Sequence, residues 1–328
     1  MSASAIFRWG IVGTGAIAAG FAEALHQTAG AELVAVGSRT QAAATDFGDR
    51  FGVAHRHGSY EDLAADEEVD IVYVATPQSR HASDAIAQIE AGKHVLCEKP
   101  FALDAAQARS MVEAAAVNGV FLMEAMWSRF LPAYKTLVDV LAEGRIGDPL
   151  LVEADFGWRR EVDPEHRLYR LDLGGGGLLD LGIYPIQLCS MVLGTPVGIS
   201  AEGVLGSTGV DELVGAVLRY AGGGLGVVKA SLQVGMTCSA RIAGTHGVID
   251  IPALMHCPES ITVSVLGQTD HLDCSYEGSG LRFEVEEVHR CLEAGELESS
   301  VMPLAETVAI AEALDAIRAE IGLSFSDR

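Results

Sequence analysis

Positive charge is scarce in this sequence. Twenty-two Lys and Arg stand against 45 Asp and Glu, leaving a formal net charge of −23 over 328 residues. A field of that sign repels phosphate backbones and anionic bilayers, so neither nucleic acid nor a membrane is expected as a partner. No Cys-x-x-Cys occurs: Cys97, Cys189, Cys238, Cys257, Cys274 and Cys291 are scattered. That pattern reads as reduced, mostly buried thiols in a cytoplasmic protein. The N-terminus lacks a basic, apolar and cleavage-site succession, and no apolar run reads as a membrane span; no secretory signal or spanning helix is expected. Internal repeats are absent, and Gly174 to Gly177 form the single low-complexity stretch. His55 and His57 offer two metal ligands without a third nearby in sequence, so no metal is expected.

What is present is an ordinary globular mixture, 49% hydrophobic and 20% charged, long enough for two domains. Up to residue 125, strand-like runs ("IFRWGIVG", "AELVAVGS", "VDIVYVAT", "KHVLCEK", "VFLMEAM") alternate with helix-like ones. The run in "VDIVYVAT" is continuously apolar, as in strands buried on both faces. Such a series implies a parallel sheet with helices on both faces. After residue 126 the pattern changes. A helix over 129–143, a charged and aromatic loop over 158–173 and a helix over 178–193 accompany strand-like runs at "LLVEADFGW", 197–205, 212–220, 224–234, 237–244, 247–252 and 259–267. Gly, Pro and Asp between those runs suggest an antiparallel sheet, and helices over 281–295 and 303–321 close the chain. The division expected is a dinucleotide-binding domain over 1–125 and an α+β domain over 126–328.

"GIVGTGAIA" places Gly13-x-Gly15-x-x-Ala18 between the first strand and its helix. The first glycine permits the tight turn, the second lets backbone approach a pyrophosphate, and the small third residue lets helix pack on strand. Ala16 and Ile17 would offer helix N-terminal amides to the phosphates. An acid that would prefer NAD is missing: between Glu32 and Asp46 the second strand ends in Gly37-Ser38-Arg39-Thr40. Arg39 can pair with a 2′-phosphate and Ser38 and Thr40 can donate to it, favouring NADP, with NAD the weaker alternative. Thr76, Pro77 and His81 of "ATPQSRH", with Glu98 and Lys99, complete the cofactor-side candidates; His81 either borders the nicotinamide or simply begins its helix.

Lys99 of "HVLCEKPFALD" follows the fifth strand, at the sheet edge where such folds bind ligands. A surface lysine paired with Glu98 is the bland reading. "GGGGLLDLGIYPIQL" sets Asp180, Tyr184 and Gln187 at i, i+4 and i+7, on one side of a helix. A tyrosine with a reference pKa near 10 becomes a usable base beside a cationic lysine. The alternative is a core tyrosine. The preceding glycines permit close approach by a ligand or another chain segment.

Together "GIVGTGAIA", "ATPQSRH", "EKPFALD" and "LLDLGIYPIQL" resemble the glucose–fructose oxidoreductase/inositol dehydrogenase (Gfo/Idh/MocA) family. "FLMEAMWSRFLPAY" and "VEADFG" bring the chain nearest its dimeric dihydrodiol dehydrogenase and NADP-dependent D-xylose dehydrogenase branch, and "VMPLAETVAIAEALDAIR" extends the likeness almost to the end. The resemblance implies a Rossmann domain, then an α+β domain whose open, mainly antiparallel sheet forms a homodimer contact. It also implies Tyr184 as acid–base residue, Lys99 as its cationic partner and Asp180 as the motif's acid, with a cis peptide before Pro100. Tyr184 and Gln187 replace the His and Asp of many members, which points away from inositol-like substrates. Trp127, Arg129, Phe156 and Trp158 are candidates for a substrate wall. The activity implied is hydride transfer between NADP and a secondary alcohol or carbonyl of a sugar, cyclic polyol or trans-dihydrodiol. A non-catalytic dinucleotide or sugar sensor is the competing class, and retention of both Lys99 and Tyr184 argues against it.

Overall fold

The computed structural model describes residues 6–325. Two compact units emerge among the described residues, one formed by 6–102, 106–130 and 277–307, the other by 103–105, 131–276 and 308–325. This departs from a linear split at 125/126, because a late segment returns to the first unit. Its helix carries His289, on which Phe7 stacks at 4.4 Å and to which the Trp9 indole N–H donates at 3.0 Å. An indole only donates, so His289 Nε2 must be the acceptor; burial holds this histidine down near 4, which keeps it neutral.

The first unit is built on a parallel sheet of six strands: β1 (Phe7–Val12), β2 (Ala31–Gly37), β3 (His55–His57), β4 (Ile71–Val74), β5 (His94–Glu98) and β6 (Leu122–Ala125). Their spatial order is β3-β2-β1-β4-β5-β6, so the chain reverses direction beside β1. Ligands of such sheets bind outside the carboxyl ends of strands at that reversal. Helices α1 (Ala16–Gln27), α2 (Gln41–Phe51), α3 (Tyr60–Ala64), α4 (His81–Glu90) and α5 (Ala105–Asn118) connect them. β4 is buried at every residue, and Tyr73 on it stacks against Phe21 of α1 at 3.6 Å. Continuous apolar sequence is what such two-sided burial requires.

In the second unit, α6 (Pro132–Ala142) leads to β7 (Pro149–Gly157), then to α7 (Ile183–Leu193) and the strands β8 (Gly198–Leu205), β9 (Asp211–Arg219), β10 (Leu225–Ser231), β11 (Ala240–Gly244), β12 (Gly247–Ile251), β13 (Ser260–Val265) and β14 (Gln268–Asp273). The eight strands run in the order β14-β13-β12-β11-β7-β10-β9-β8. Pairing is antiparallel except between β7 and β10. Helix α8 (Arg282–Glu293) belongs to the first unit, and α9 (Leu304–Ile321) runs on into the second.

One stretch is long and apolar enough to be compared with a membrane span by length and composition alone. Within Leu171–Leu193 an 18-residue window reaches a mean hydropathy of 1.4, but 83% of that window is buried within the protein. Its buried part is the stretch from Leu178 into α7, whose residues through Cys189 are all buried among neighbours.

Candidate active site

In the first unit the turn after β1 requires its glycine. Gly13 sits at φ +109°, and a Cβ there would lie 2.7 Å from the Ala75 carbonyl oxygen. Gly15 is different: a Cβ would meet nothing within 4 Å, so the glycine leaves space rather than relieving a clash. It begins α1 with no side-chain cap and no acid in the first turn. Ala16 and Ile17 are exposed there, whereas Ala18 is fully buried against the sheet. An uncapped helix N-terminus with open space before it attracts anions.

At the end of β2, Ser38 is buried; its N–H donates to the His57 carbonyl at 3.0 Å, and its Oγ lies 3.4 Å from Thr14 Oγ1. Arg39 and Thr40 are exposed. Thr40 Oγ1 accepts the Ala43 N–H at 3.3 Å and so caps α2, which leaves its own proton to donate. Past β4, Pro77 follows Thr76, whose hydroxyl is buried without a hydrogen-bond partner. Open space at Gly15, free amides, an exposed guanidinium and an unsatisfied hydroxyl fit the phosphates and ribose of a dinucleotide.

His81 does not join this group. Its Nδ1 lies 2.8 Å from the Pro100 carbonyl and its Nε2 2.9 Å from that of Thr76, and the ring is buried. The carbonyls favour protons on both nitrogens, but complete burial dominates and lowers the pKa, with Lys99 adding to the effect. His81 sits between the end of β4 and the chain beyond β5, and its neutral ring has a single proton to donate to one of the two carbonyls.

Glu98 is also buried: one carboxylate oxygen accepts the Tyr73 hydroxyl and the other the Lys99 N–H at 3.1 Å. Lys99 stands half-buried directly after β5, and the Lys99–Pro100 peptide is cis, as the resemblance implied. Trp127 is half-buried at the start of a 3₁₀ turn ending at Phe130. Arg129, the other substrate-wall candidate of this segment, lies on that turn. It is 3% exposed, and its guanidinium donates to Glu306 Oε1 at 2.6 Å and to the Val301 carbonyl at 3.3 Å. A buried cation needs such partners, and these tie Arg129 to the 301–306 segment.

The second unit gathers the remaining candidates. Tyr184, at the start of α7, is buried and stacks on Phe156 of β7 at 5.2 Å and 29°. Trp158 lies 5.1 Å from Phe156 and is 44% exposed. His256, which the sequence reading missed, completes the cluster 5.3 Å from Tyr184 and 4.9 Å from Phe156. Only tertiary structure brings it there: Met255, its neighbour, accepts the Tyr134 hydroxyl at 2.9 Å and donates its N–H to the Cys238 carbonyl at 2.8 Å.

Asp180 lies on the turn before α7, which is π-wound over Leu178–Gly182 rather than part of a regular helix. Single π-turns of this kind recur at functional sites. Both Asp180 oxygens are held by Arg167, at 3.0 and 3.3 Å, a partner the sequence did not announce. Gln187 has turned inward and donates to the Tyr134 hydroxyl at 3.4 Å. Of the two roles open to the glycine run, close approach by chain is the one observed. A Cβ on Gly175 would lie 2.7 Å from two carbonyl oxygens, and one on Gly176 would lie 2.1 Å from Asp211 Oδ1.

Residues 7–126 match the Gfo/Idh/MocA family model, an oxidoreductase family with an NAD-binding Rossmann fold, and residues 134–250 match that family's C-terminal domain. The chain belongs to this family. It is accordingly an oxidoreductase with a nicotinamide-dinucleotide domain. Trans-1,2-dihydrobenzene-1,2-diol dehydrogenase from Mus musculus is 40% identical over 97% of this chain and 98% of its own. The Homo sapiens enzyme of that name is 37% identical over the same shares. Among solved structures, a 3-ketoreductase from Actinomadura kijaniata complexed with NADP and TDP-benzene gives a TM-score of 0.86 at 26% identity, covering 96% of this chain and 98% of its own. An aldose-aldose oxidoreductase from Caulobacter crescentus shares the fold, with a TM-score of 0.88 at 23% identity over 96% and 97% of the two chains.

Proposed function

We propose that this family member is an NADP-dependent dehydrogenase acting on a secondary alcohol, or the matching carbonyl, of a trans-dihydrodiol or a sugar. The observation that carries the reading is the setting of Tyr184. Its buried phenol is stacked on Phe156, flanked by His256, and follows by four residues an Asp180 fixed by Arg167. Aromatic faces around a phenol suit the C–H face of a sugar or the ring of a dihydrodiol. The 40% and 37% identity to dihydrodiol dehydrogenases, over 97% of the chain, supports the same substrate class.

Gly13, Gly15, Ala16, Ile17, Ser38, Arg39, Thr40 and Thr76 would hold the dinucleotide, with Arg39 taking the 2′-phosphate. Bound there, the cofactor supplies or accepts the hydride. Tyr184 takes the substrate's hydroxyl proton in oxidation and returns it in reduction. Lys99 is the cationic residue of the same reaction, and Asp180, held through both oxygens by Arg167, positions hydroxyls. Phe156, Trp158 and His256 orient the substrate. The working molecule is a cytoplasmic homodimer joined through the exposed face of the eight-stranded sheet.

Tyr184→Phe tests the assignment. Turnover of NADP(H) with a dihydrodiol and a sugar panel falls at least about a hundredfold, the scale of general acid–base help, while cofactor affinity stays at the wild-type value. Unchanged turnover removes Tyr184 from the reaction, and tight cofactor binding by a wild-type protein inert across the panel favours a sensor. For Arg39→Ala, affinity for NADPH falls about tenfold or more while that for NADH changes little, as loss of a charge-assisted contact to one phosphate requires. Equal losses would undo the NADP preference.

A further inference from the structure

His55 and His57 are two residues apart on β3, an edge strand, so both rings leave the same face. The sequence offered no third ligand beside them. Folding supplies one: Asp66, in the turn after α3, sets its Oδ2 2.6 Å from His55 Nδ1 and 2.9 Å from His57 Nε2. The three atoms lie within 4.8 Å of one another. The turn is held from several sides. The Asp66 N–H donates to the Leu63 carbonyl at 3.0 Å, Lys93 Nζ donates to the Asp66 carbonyl at 2.6 Å, and Asp66 Oδ1 accepts the Glu68 N–H at 2.9 Å. That last bond aims Oδ2 at the two rings, as outer-shell hydrogen bonds do for ligating carboxylates.

We propose that His55 Nδ1, His57 Nε2 and Asp66 Oδ2 bind one divalent transition-metal ion, with water completing its shell. Two ring nitrogens that face one oxygen must both carry protons to bond it. An ion replaces those two protons where three lone pairs converge. A tetrahedral shell with bonds near 2.1 Å spaces its ligands about 3.4 Å apart, so the present 2.6 and 2.9 Å separations need to open only by about 0.5–0.8 Å. Two imidazoles and one carboxylate suit Zn²⁺, Co²⁺ or Ni²⁺ rather than the all-oxygen shells of Mg²⁺ and Ca²⁺. The His55 and His57 side chains are 37% and 22% exposed against 7% for Asp66, which leaves a solvent side for entry and for water ligands. Glu67, Glu68 and Asp70 in the adjoining sequence offset the charge of Lys93. The ion would cross-link a three-residue edge strand to the turn that follows α3.

The test titrates the full-length chain, stripped with a chelator, with Co²⁺ followed by visible absorption and calorimetry, then with Zn²⁺ in competition. One Co²⁺ binds per chain with the intense visible band of a low-coordinate site, Zn²⁺ displaces it, and the ion raises the unfolding temperature. His57→Gln and Asp66→Asn each weaken binding by at least about tenfold, whereas Cys257→Ser leaves it unchanged. X-ray absorption of the Zn²⁺-loaded wild type shows imidazole and oxygen scattering without sulfur, which keeps the proposal testable should a variant fold poorly. Absence of one-to-one binding, a sulfur shell, or affinity that survives both ligand variants would overturn it.

Discussion

Glu124 shows how much a single buried carboxyl costs. It is 1% exposed on β6, and burial raises its pKa to about 7, against the pull of Arg129 and of the Phe101 N–H that donates to it at 3.1 Å. Between the unfolded value of 4.5 and about 7, the unfolded chain releases a proton that the folded chain keeps. Stability therefore falls as pH rises across that window, by up to about 1.4 kcal/mol per unit and about 3 kcal/mol in all. Glu124→Gln is neutral at every pH and lacks the penalty. Denaturant midpoints at pH 5 and pH 8 should show the variant gaining on the wild type as pH rises; a constant difference would place the Glu124 pKa outside the window. Residues of this kind also mark where sequence reading stops. Arg129 and His81 were legible as polar groups in the right neighbourhood, but Glu306, 177 positions away, and the Pro100 carbonyl decide what they do. His256 gave no signal at all, because its place beside Tyr184 depends on the bonds of Met255.

Elements were easier to read than residues wherever burial enforces a period. The parallel strands, α7 and the strands from β7 to β13 follow from apolar runs and their Gly, Pro and Asp punctuation. β14 was missed because "QTDHLD" is an exposed edge strand without a buried face to give it a period. The π-turn was also invisible: a period of 3.6 describes a regular helix, and the extra residue is stabilised from outside. Asp211 Oδ2 accepts the Leu178 N–H at 2.6 Å, and its Oδ1 occupies the space that a side chain on Gly176 would need. Gly176→Ala, at φ +128°, must displace Asp211 and adopt a strained backbone, costing at least roughly 1–3 kcal/mol. Because this turn carries Asp180 and leads into Tyr184, melting temperature and kcat should fall together while NADP(H) affinity is kept. An active, fully stable variant would mean that the turn tolerates a regular winding.

At the scale of the molecule, a net charge of −23 opposes association of two identical copies. The proposed homodimer therefore needs a face where charge is locally matched and apolar surface is available. The outer face of the eight-stranded sheet has both. Lys229 lies 3.4 Å from Asp155, and Arg241 pairs with Asp250 at 2.6 Å. Val217 and Leu225 are 43% and 40% exposed, and Val217 lies directly across from Val227 in the β9–β10 register. Paired charges bring little long-range repulsion, while the remaining acidic surface repels through solvent and is screened over about 10 Å at 0.1 M salt. Dimerisation should accordingly tighten as NaCl is raised, the reverse of an interface held by attraction between opposite charges. Light scattering should give twice the 34.5 kDa chain mass, with a dissociation constant that falls between low and moderate salt. Replacing Val217 and Val227 together by Glu adds charge and removes apolar contact on this face, and should give a monomer at every salt concentration. A dimer that persists in this double variant would move the contact to another surface, and one that loosens with salt would show that opposite charges hold it.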